Sequence, residues 1–332
     1  MTASSVCVLG AGSWGTALAV LLSQDNKPCR LWAHNPKHIQ DMAETRRNLR
    51  YLPTVALPDS LQLESELETA VSNVDIILIA VPSHAFRETL RNLAPLLQPG
   101  QGIAWASKGL EAESHKLLSQ VVHEEISNVH PAAVISGPTF AREVAAGLPT
   151  AVTVASADEA FANQIAERLH TETFRAYTSQ DVIGVQVGGA VKNVLAIAAG
   201  IADGLGFGAN TRSAVITRGL AEISRLGHVL GADAATFMGL AGLGDLVLTC
   251  TDDQSRNRRF GKALAAGTPV EQAFAEIGQV VEGAQTAKVL HELATQLEVD
   301  MPICEEVYRV IYEQLPPKQA VSDLLHRSQK SE

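Results

Sequence analysis

Paired cysteines are missing from this chain. Cys7, Cys29, Cys250 and Cys304 are widely scattered and no Cys-x-x-Cys occurs. That argues against a disulfide-stapled scaffold and a cysteine-held metal, and fits reduced thiols in a cytoplasmic protein. Positive charge is in deficit: 26 Lys and Arg stand against 36 Asp and Glu, a net charge of −10. Nucleic acids and anionic membrane surfaces are bound through a basic field, so neither partner is expected. An anionic ligand must therefore find a local cluster of cations. The opening "MTASS" has no basic start leading into an apolar core, so no secretory leader is expected. The most apolar stretch, residues 187–202, is broken by Lys192 and Asn193 and falls short of a bilayer span, so it reads as a buried helix. Repeats and low-complexity tracts are absent. With 46% hydrophobic and 19% charged residues, 332 residues suffice for two globular domains with sizeable cores.

What is present begins at Ser5 with "SVCVLGAGSWGTALAVLLSQ". Val6 to Leu9 reads as a buried strand and Thr16 to Leu22 as an apolar helix, with Gly10-x-Gly12-x-x-Gly15 between them. In that setting Gly10 permits the sharp turn, Gly12 lets backbone approach a pyrophosphate, and Gly15 lets helix pack on strand. The helix start offers unpaired N–H groups to the anion. Dinucleotide binding is the reading.

Further strands are expected at about 29–33, 74–82, 102–108, 132–138 and 150–156, with helices at about 84–97, 114–127 and 158–170. This alternation predicts an α/β fold with a Rossmann-like, doubly wound parallel sheet, whose ligands sit beyond the carboxyl ends of the strands. From Gly184 onward no strand pattern is found. Helices are expected at about 181–202, 211–230, 233–240, 256–266, 270–276, 283–297 and 302–313, and the tail beyond Pro316-Pro317 reads as peripheral. The domains are accordingly 1–181, binding dinucleotide, and 182–332, all-helical and carrying substrate and catalysis. A cleft between two domains is a usual place for a substrate.

An NAD-specific fold usually ends its second strand on a carboxylate that binds the ribose. Here "WAHNPKH" offers His34 and Asn35 instead. NADP(H) is therefore favoured, with NAD(H) tolerated. His34, with Lys37 or one of Arg46, Arg47 and Arg50, would face a 2′-phosphate, unless those bases are simply solvated. FAD is disfavoured, because no second nucleotide-like half is present.

Three clusters carry the chemistry. In "GVQVGGAVKNVLAIAAG", Gly184, Gly188 and Lys192 share one helix face. Helical glycine costs about 1 kcal/mol against alanine, so either another helix or a ligand must come close there. Lys192 among valine, alanine and leucine would lose hydration and have its pKa lowered toward neutrality, as suits an acid–base group; a lysine snorkelling out of an apolar helix is the alternative. In "GLAGLGDLVLTCTDDQSRNRRFG", Ser255 reads as a helix cap opening onto Arg256 and Asn257. These groups make a phosphate seat, or else Arg256, Arg258 and Arg259 form a solvated face paired with Asp252 and Asp253. Asp245 in the same stretch needs a partner if buried, and a lysine is the obvious one. Finally, "ASKGL" places Lys108, and "SGPTFAREVA" places Gly137 and Thr139, at the carboxyl ends of expected strands.

Taken in order, "GAGSWGTALA", "SKGLE", "SGPTFAREVA", "GGAVKNVLAIAAG", "GLAGLGDLVLTCT", "SRNRRFG" and "VVEGAQTAKVL" resemble the bacterial NAD(P)-dependent glycerol-3-phosphate dehydrogenases over nearly the whole chain. The resemblance implies a C-terminal half like that of 6-phosphogluconate dehydrogenase. It also implies reversible hydride transfer between NAD(P)H and dihydroxyacetone phosphate, giving sn-glycerol 3-phosphate for glycerophospholipid synthesis. It makes Lys192 the catalytic acid–base and places Lys108, Gly137, Thr139, Lys192, Asp245, Ser255, Arg256 and Asn257 on the substrate. Gly10, Gly12, Ser13, Trp14, Gly15, His34, Lys108, Ala141, Arg256, Val280 and Glu282 fall on the cofactor. A homodimer in the cytoplasm is implied as well. Two rival readings are a β-hydroxyacid or 6-phosphogluconate-type dehydrogenase, which would recognise a carboxylate, and a non-catalytic NAD(P)-sensing module, which leaves Lys108, Lys192 and Asp245 without a reason.

Overall fold

The computed structural model describes residues 4–126 and 129–328. The first three residues of the opening "MTASS" and the last residue of the helix expected at 114–127 lie outside the described residues. Two compact units divide the chain: Met1–Ser107 with Leu118–Val185, and Lys108–Leu117 with Gln186–Glu332.

In the first unit the strands are β1 (Val6–Leu9), β2 (Cys29–Trp32), β3 (Arg47–Asn48), β4 (Leu52–Ala56), β5 (Leu61–Glu64), β6 (Ile76–Ile79), β7 (Gly102–Trp105), β8 (Ala132–Ser136), β9 (Thr150–Ala155) and β10 (Phe174–Ser179). Its helices are α1 (Ser13–Leu22), α2 (Pro36–Thr45), α3 (Leu67–Val71), α4 (Phe86–Leu93), α5 (Leu118–Glu125), α6 (Ala141–Ala145) and α7 (Glu159–Leu169). Eight strands form one sheet in the order β10-β9-β8-β7-β6-β1-β2-β5, and β3 pairs with β4 in a separate antiparallel hairpin. The central strands "VCVL" and "IILI" are buried at every residue, the mark of a sheet covered on both faces. Val8, Leu18, Leu31 and Leu78 meet in its core.

The sheet is not parallel throughout. β8 and β9 run antiparallel, and β10 then pairs parallel with β9. An apolar run carries no direction; the connection sets it. Between β8 and β9 the chain has only the five-residue α6, without the long crossover helix that returns a strand in parallel. β5, β10 and the β3–β4 hairpin are not among the expected strands: each is partly or largely exposed, and half-exposed strands leave little apolar pattern.

The second unit is helical: α8 (Val182–Gly204, whose first turn belongs to the first unit), α9 (Ala209–Leu230), α10 (Asp245–Thr251), α11 (Arg256–Ala265), α12 (Val270–Ile277), α13 (Glu282–Gln296), α14 (Pro302–Tyr312) and α15 (Pro317–Leu325). Among its described residues the only β pairing is one bridge, Leu110 to Leu117. α15 occupies the tail and packs on α14 through the buried Ala320. α8 is longer than the apolar stretch 187–202: its 23 residues and mean hydropathy of 1.6 meet the length and composition of a membrane span. Yet 83% of that window is buried inside the protein, as befits a core helix.

Glycine lets backbones touch in this unit. A Cβ on Gly188 would lie 2.4 Å from the carbonyl oxygen of Ala241, and one on Gly261 would lie 2.1 Å from that of Ile197. The close neighbour of Gly188 is thus a protein segment, Leu240–Gly244, wound as a single π-type turn just ahead of α10. Glu222 of α9 accepts hydrogen bonds from the N–H groups of Ile303 (2.7 Å) and Cys304 (3.1 Å), docking the start of α14. Burial pushes its carboxyl up to about 7.

Alanine in place of helical glycine normally stabilises by about 1 kcal/mol. Gly188→Ala reverses that sign, because the Ala241 carbonyl must move: a loss of about 1–3 kcal/mol is expected in denaturant unfolding. A gain in stability would show that the approach is loose.

Candidate functional site

In the first unit the glycine loop links β1 to α1. Gly10 has φ +118°, and a Cβ there would come within 2.8 Å of the Ala80 carbonyl oxygen. A Cβ on Gly15 would strike the Gly10 carbonyl oxygen at 1.9 Å, so helix and strand meet only because it is glycine. Gly12 is different: nothing lies within 4 Å of where its Cβ would be. Among the described residues no side chain caps the start of α1, and none hydrogen-bonds the buried Trp14 indole N–H. Two crowded glycines flank one that opens onto space at a bare helix start, which is the arrangement a dinucleotide pyrophosphate requires. The residues present fit such a cofactor.

Around the loop, Ser13 Oγ donates to the Tyr51 carbonyl at 2.8 Å. α6, which Ala141 opens, packs on α1. Gly137, at φ +149°, backs onto Val152, and Thr139 Oγ1 donates to the Gly137 carbonyl at 3.2 Å. His34 is exposed just beyond β2, while Asn35 is occupied as the cap of α2, accepting from Lys37 N and His38 N. Arg46 and Arg47 are tied to backbone carbonyls of Pro58 and Pro53, and Arg50 stacks over the Tyr51 ring at 5.0 Å.

In the second unit, Asp245 opens α10 with none of its surface exposed. Lys192 Nζ donates to its Oδ1 at 2.6 Å and Lys108 Nζ to its Oδ2 at 2.7 Å. Lys192 Nζ also donates to Thr249 Oγ1 at 2.9 Å, and that hydroxyl donates to the Asp245 carbonyl at 2.6 Å. Lys192 is buried, so the snorkelling alternative does not hold. Its burial lowers the ammonium pKa from 10.5 to about 8; Asp245 opposes the shift and Lys108 adds to it. Ionised, the two lysines and one aspartate carry one positive charge in a dry setting.

Asn193, the next residue on α8, ties this cluster to the start of α11. Its Oδ1 accepts from Asn257 Nδ2 at 2.9 Å, and Asn257 Oδ1 accepts from Gly283 N at 2.9 Å. Ser255 caps α11, its hydroxyl accepting from Arg258 N at 3.2 Å. Arg256 Nη1 lies 3.4 Å from Gln279 Oε1; burial lowers its pKa and nearby Glu282 opposes that. Val280, between Gln279 and Glu282 in sequence, is exposed. Arg258 belongs to no solvated face: it is buried, pairing with Asp203 at 2.6 Å and with Asp253. Lys108, Lys192 and Asp245 are thus in direct contact, Asn193 links them to Asn257 beside Ser255 and Arg256, and Glu282 lies near Arg256. Val280 is placed in the second unit, and among the described residues no hydrogen bond joins it to them. Gly10, Gly12, Ser13, Trp14, Gly15, His34, Gly137, Thr139 and Ala141 belong to the first.

Residues 5–162 match the model of the NAD-dependent glycerol-3-phosphate dehydrogenase N-terminus, and 181–322 match that of its C-terminus. A relative from Aeromonas hydrophila named glycerol-3-phosphate dehydrogenase (NAD(P)+) is 55% identical over 99% of this chain and 98% of its own. The chain belongs to the NAD-dependent glycerol-3-phosphate dehydrogenase family. An Escherichia coli K12 member of the same name is 54% identical over 99% of this chain and 97% of its own. The crystal structure of the Coxiella burnetii glycerol-3-phosphate dehydrogenase superposes with a TM-score of 0.96 at 47% identity, covering 98% of this chain and all of that one. Membership in this dehydrogenase family sets aside the oxo-acid and sensing-module readings.

Thr249 and Asn193 escaped the sequence reading. Thr249 stands four residues after Asp245, one helical turn away, so their spacing alone could have paired them. Asn193 adjoins Lys192, but nothing in the sequence joins it to Asn257, 64 positions away.

Because Asp245 holds up the pKa of Lys192, Asp245→Asn should lower it further, below about 8. The check is the pH dependence of Lys192 labelling by an amine reagent, read by mass spectrometry. A midpoint unchanged or raised would remove the carboxylate from the pair.

Proposed function

We propose that Lys192 is the acid–base group through which this NAD(P)-dependent oxidoreductase interconverts dihydroxyacetone phosphate and sn-glycerol 3-phosphate. The observation that carries the reading is the buried Lys192–Asp245 bond of 2.6 Å, with Lys108 on the other carboxylate oxygen. When bound, NAD(P)H supplies the hydride that reduces the C2 carbonyl. Lys192 gives its proton to the oxygen that gains charge at that carbon, and takes it back in the oxidising direction. Its lowered pKa suits both duties near neutral pH. Lys108 and Asp245 hold that ammonium and the substrate hydroxyls in register, and the excess positive charge stabilises the developing alkoxide.

The substrate phosphate is assigned to Ser255, Arg256 and Asn257 at the start of α11, where a guanidinium and the helix N-terminus favour an anion. Gly137 and Thr139 complete the substrate contacts. The dinucleotide is assigned to Gly10, Gly12, Ser13, Trp14, Gly15, His34, Lys108, Ala141, Arg256, Val280 and Glu282, with His34 and the missing carboxylate after β2 favouring NADP(H) while tolerating NAD(H). The product feeds glycerophospholipid synthesis. A homodimer in the cytoplasm completes the reading; the four buried free thiols support that setting.

Lys192→Ala should lower turnover by about 10²–10⁴-fold while the affinity for NADPH stays within about two-fold, by steady-state assay and fluorescence titration. Retained turnover rejects the assignment. Arg256→Ala should raise KM for dihydroxyacetone phosphate by at least about ten-fold and leave phosphate-free dihydroxyacetone nearly unaffected, the equivalent of one charged hydrogen bond. Equal loss with both substrates would move the phosphate elsewhere.

A further inference from the structure

We infer that Asn48 is a positioning residue that orients the glycine loop for the cofactor pyrophosphate; the inference rests on the dinucleotide reading of that loop. Asn48 lies in the short hairpin of β3 and β4, in the basic stretch "RRNLRY". Its side chain has no exposed surface. Nδ2 donates to the Ala11 carbonyl at 2.9 Å and to Thr16 Oγ1 at 2.8 Å. Oδ1 accepts from Tyr51 N at 3.2 Å, and the Tyr51 carbonyl in turn accepts from Ser13 Oγ at 2.8 Å. One amide therefore joins the middle of the glycine loop, the first turn of α1 and the hairpin.

The bond to Ala11 acts through the peptide plane. The Ala11 C=O and the Gly12 N–H belong to one rigid planar unit and point to opposite sides of it. Holding the oxygen toward Asn48 turns the Gly12 N–H the other way, at the one glycine of the three with open space beside it. Glycine is the residue least able to keep such a plane fixed by itself. His38 Nε2, 3.4 Å from the same carbonyl, is the only second hold on it among the side-chain hydrogen bonds of the described residues, and it is a long one. The hairpin fixes Asn48 in place through the turn from Asn48 to Tyr51, where Tyr51 N also bonds the Asn48 carbonyl at 3.3 Å.

The test uses the full chain carrying Asn48→Ala and, separately, Asn48→Asp, which keeps the shape but loses the donors. NADPH affinity is read by fluorescence titration, with ADP-ribose and AMP as competitors. Both variants should bind NADPH and ADP-ribose at least about ten-fold more weakly, as expected when a buried carbonyl loses its donor. AMP, which has no pyrophosphate, should stay within about two-fold, and kcat at saturating NADPH within about three-fold. Should Asn48→Ala fail to fold, the isosteric Asp variant decides alone. Unchanged NADPH affinity, or AMP weakened as much as ADP-ribose, overturns the positioning role. A wild type that neither binds NADPH nor oxidises it with dihydroxyacetone phosphate would instead overturn the functional reading itself.

Discussion

One buried carboxylate holds two ammonium groups, and the chemistry of the second unit is arranged around it. Asp245 without either lysine would be an uncompensated charge in a dry interior, a penalty of several kcal/mol. Lys192 without Asp245 would give up its proton more readily still. Asp245 favours the charged lysine where burial works against it, and burial still leaves the proton more loosely held than on an ordinary lysine. Lys108 adds a second cation to the same acid, so the ionised trio carries one positive charge in excess, the basis of the oxyanion role proposed for it.

That arrangement needs backbones closer together than side chains normally allow. Asp245 follows the π-type turn Leu240–Gly244, and this turn rests against Gly188, one helical turn before Lys192 on α8. Further along α8, Gly261 lets α11 approach Ile197, and Asn193 bonds Asn257 near the cap of α11. The glycines of α8 and α11 are thus structural in origin and chemical in effect: they bring Lys192, Asp245 and the Ser255 cap onto one frame. In the first unit glycine has the converse use, with Gly10 and Gly15 crowded by protein and Gly12 left open.

Much of this was legible from residue types and spacing. Gly10, Gly12 and Gly15 announced the loop, Ser255 the cap, and Asp245 amid glycine and leucine its need for a lysine. An apolar setting around Lys192 gave the direction of its pKa shift. Strand direction was not legible, because hydrophobicity in β9 is the same whichever way the strand runs; only the short connection through α6 distinguishes the two. The helix expected at about 181–202 is α8, Val182–Gly204, displaced by only one or two residues at either end. Long-range polar partners were hidden for a more basic reason. Asn48 with Ala11, and Asn193 with Asn257, meet only through tertiary folding, and an asparagine in a basic or apolar stretch gives no sign of its partner.

The proton held between Lys192 and Asp245 can be followed directly by the single-turnover rate of NADPH oxidation with saturating dihydroxyacetone phosphate from pH 6 to pH 11. With Lys192 as the proposed proton donor, reduction requires its protonated form, and its folded pKa lies below the ordinary value of 10.5. The rate should therefore fall as pH rises through about 8, and the reverse rate should climb over the same range. A reduction rate that stays flat until pH reaches the ordinary lysine value would contradict the buried, partly relieved ammonium as the proton donor.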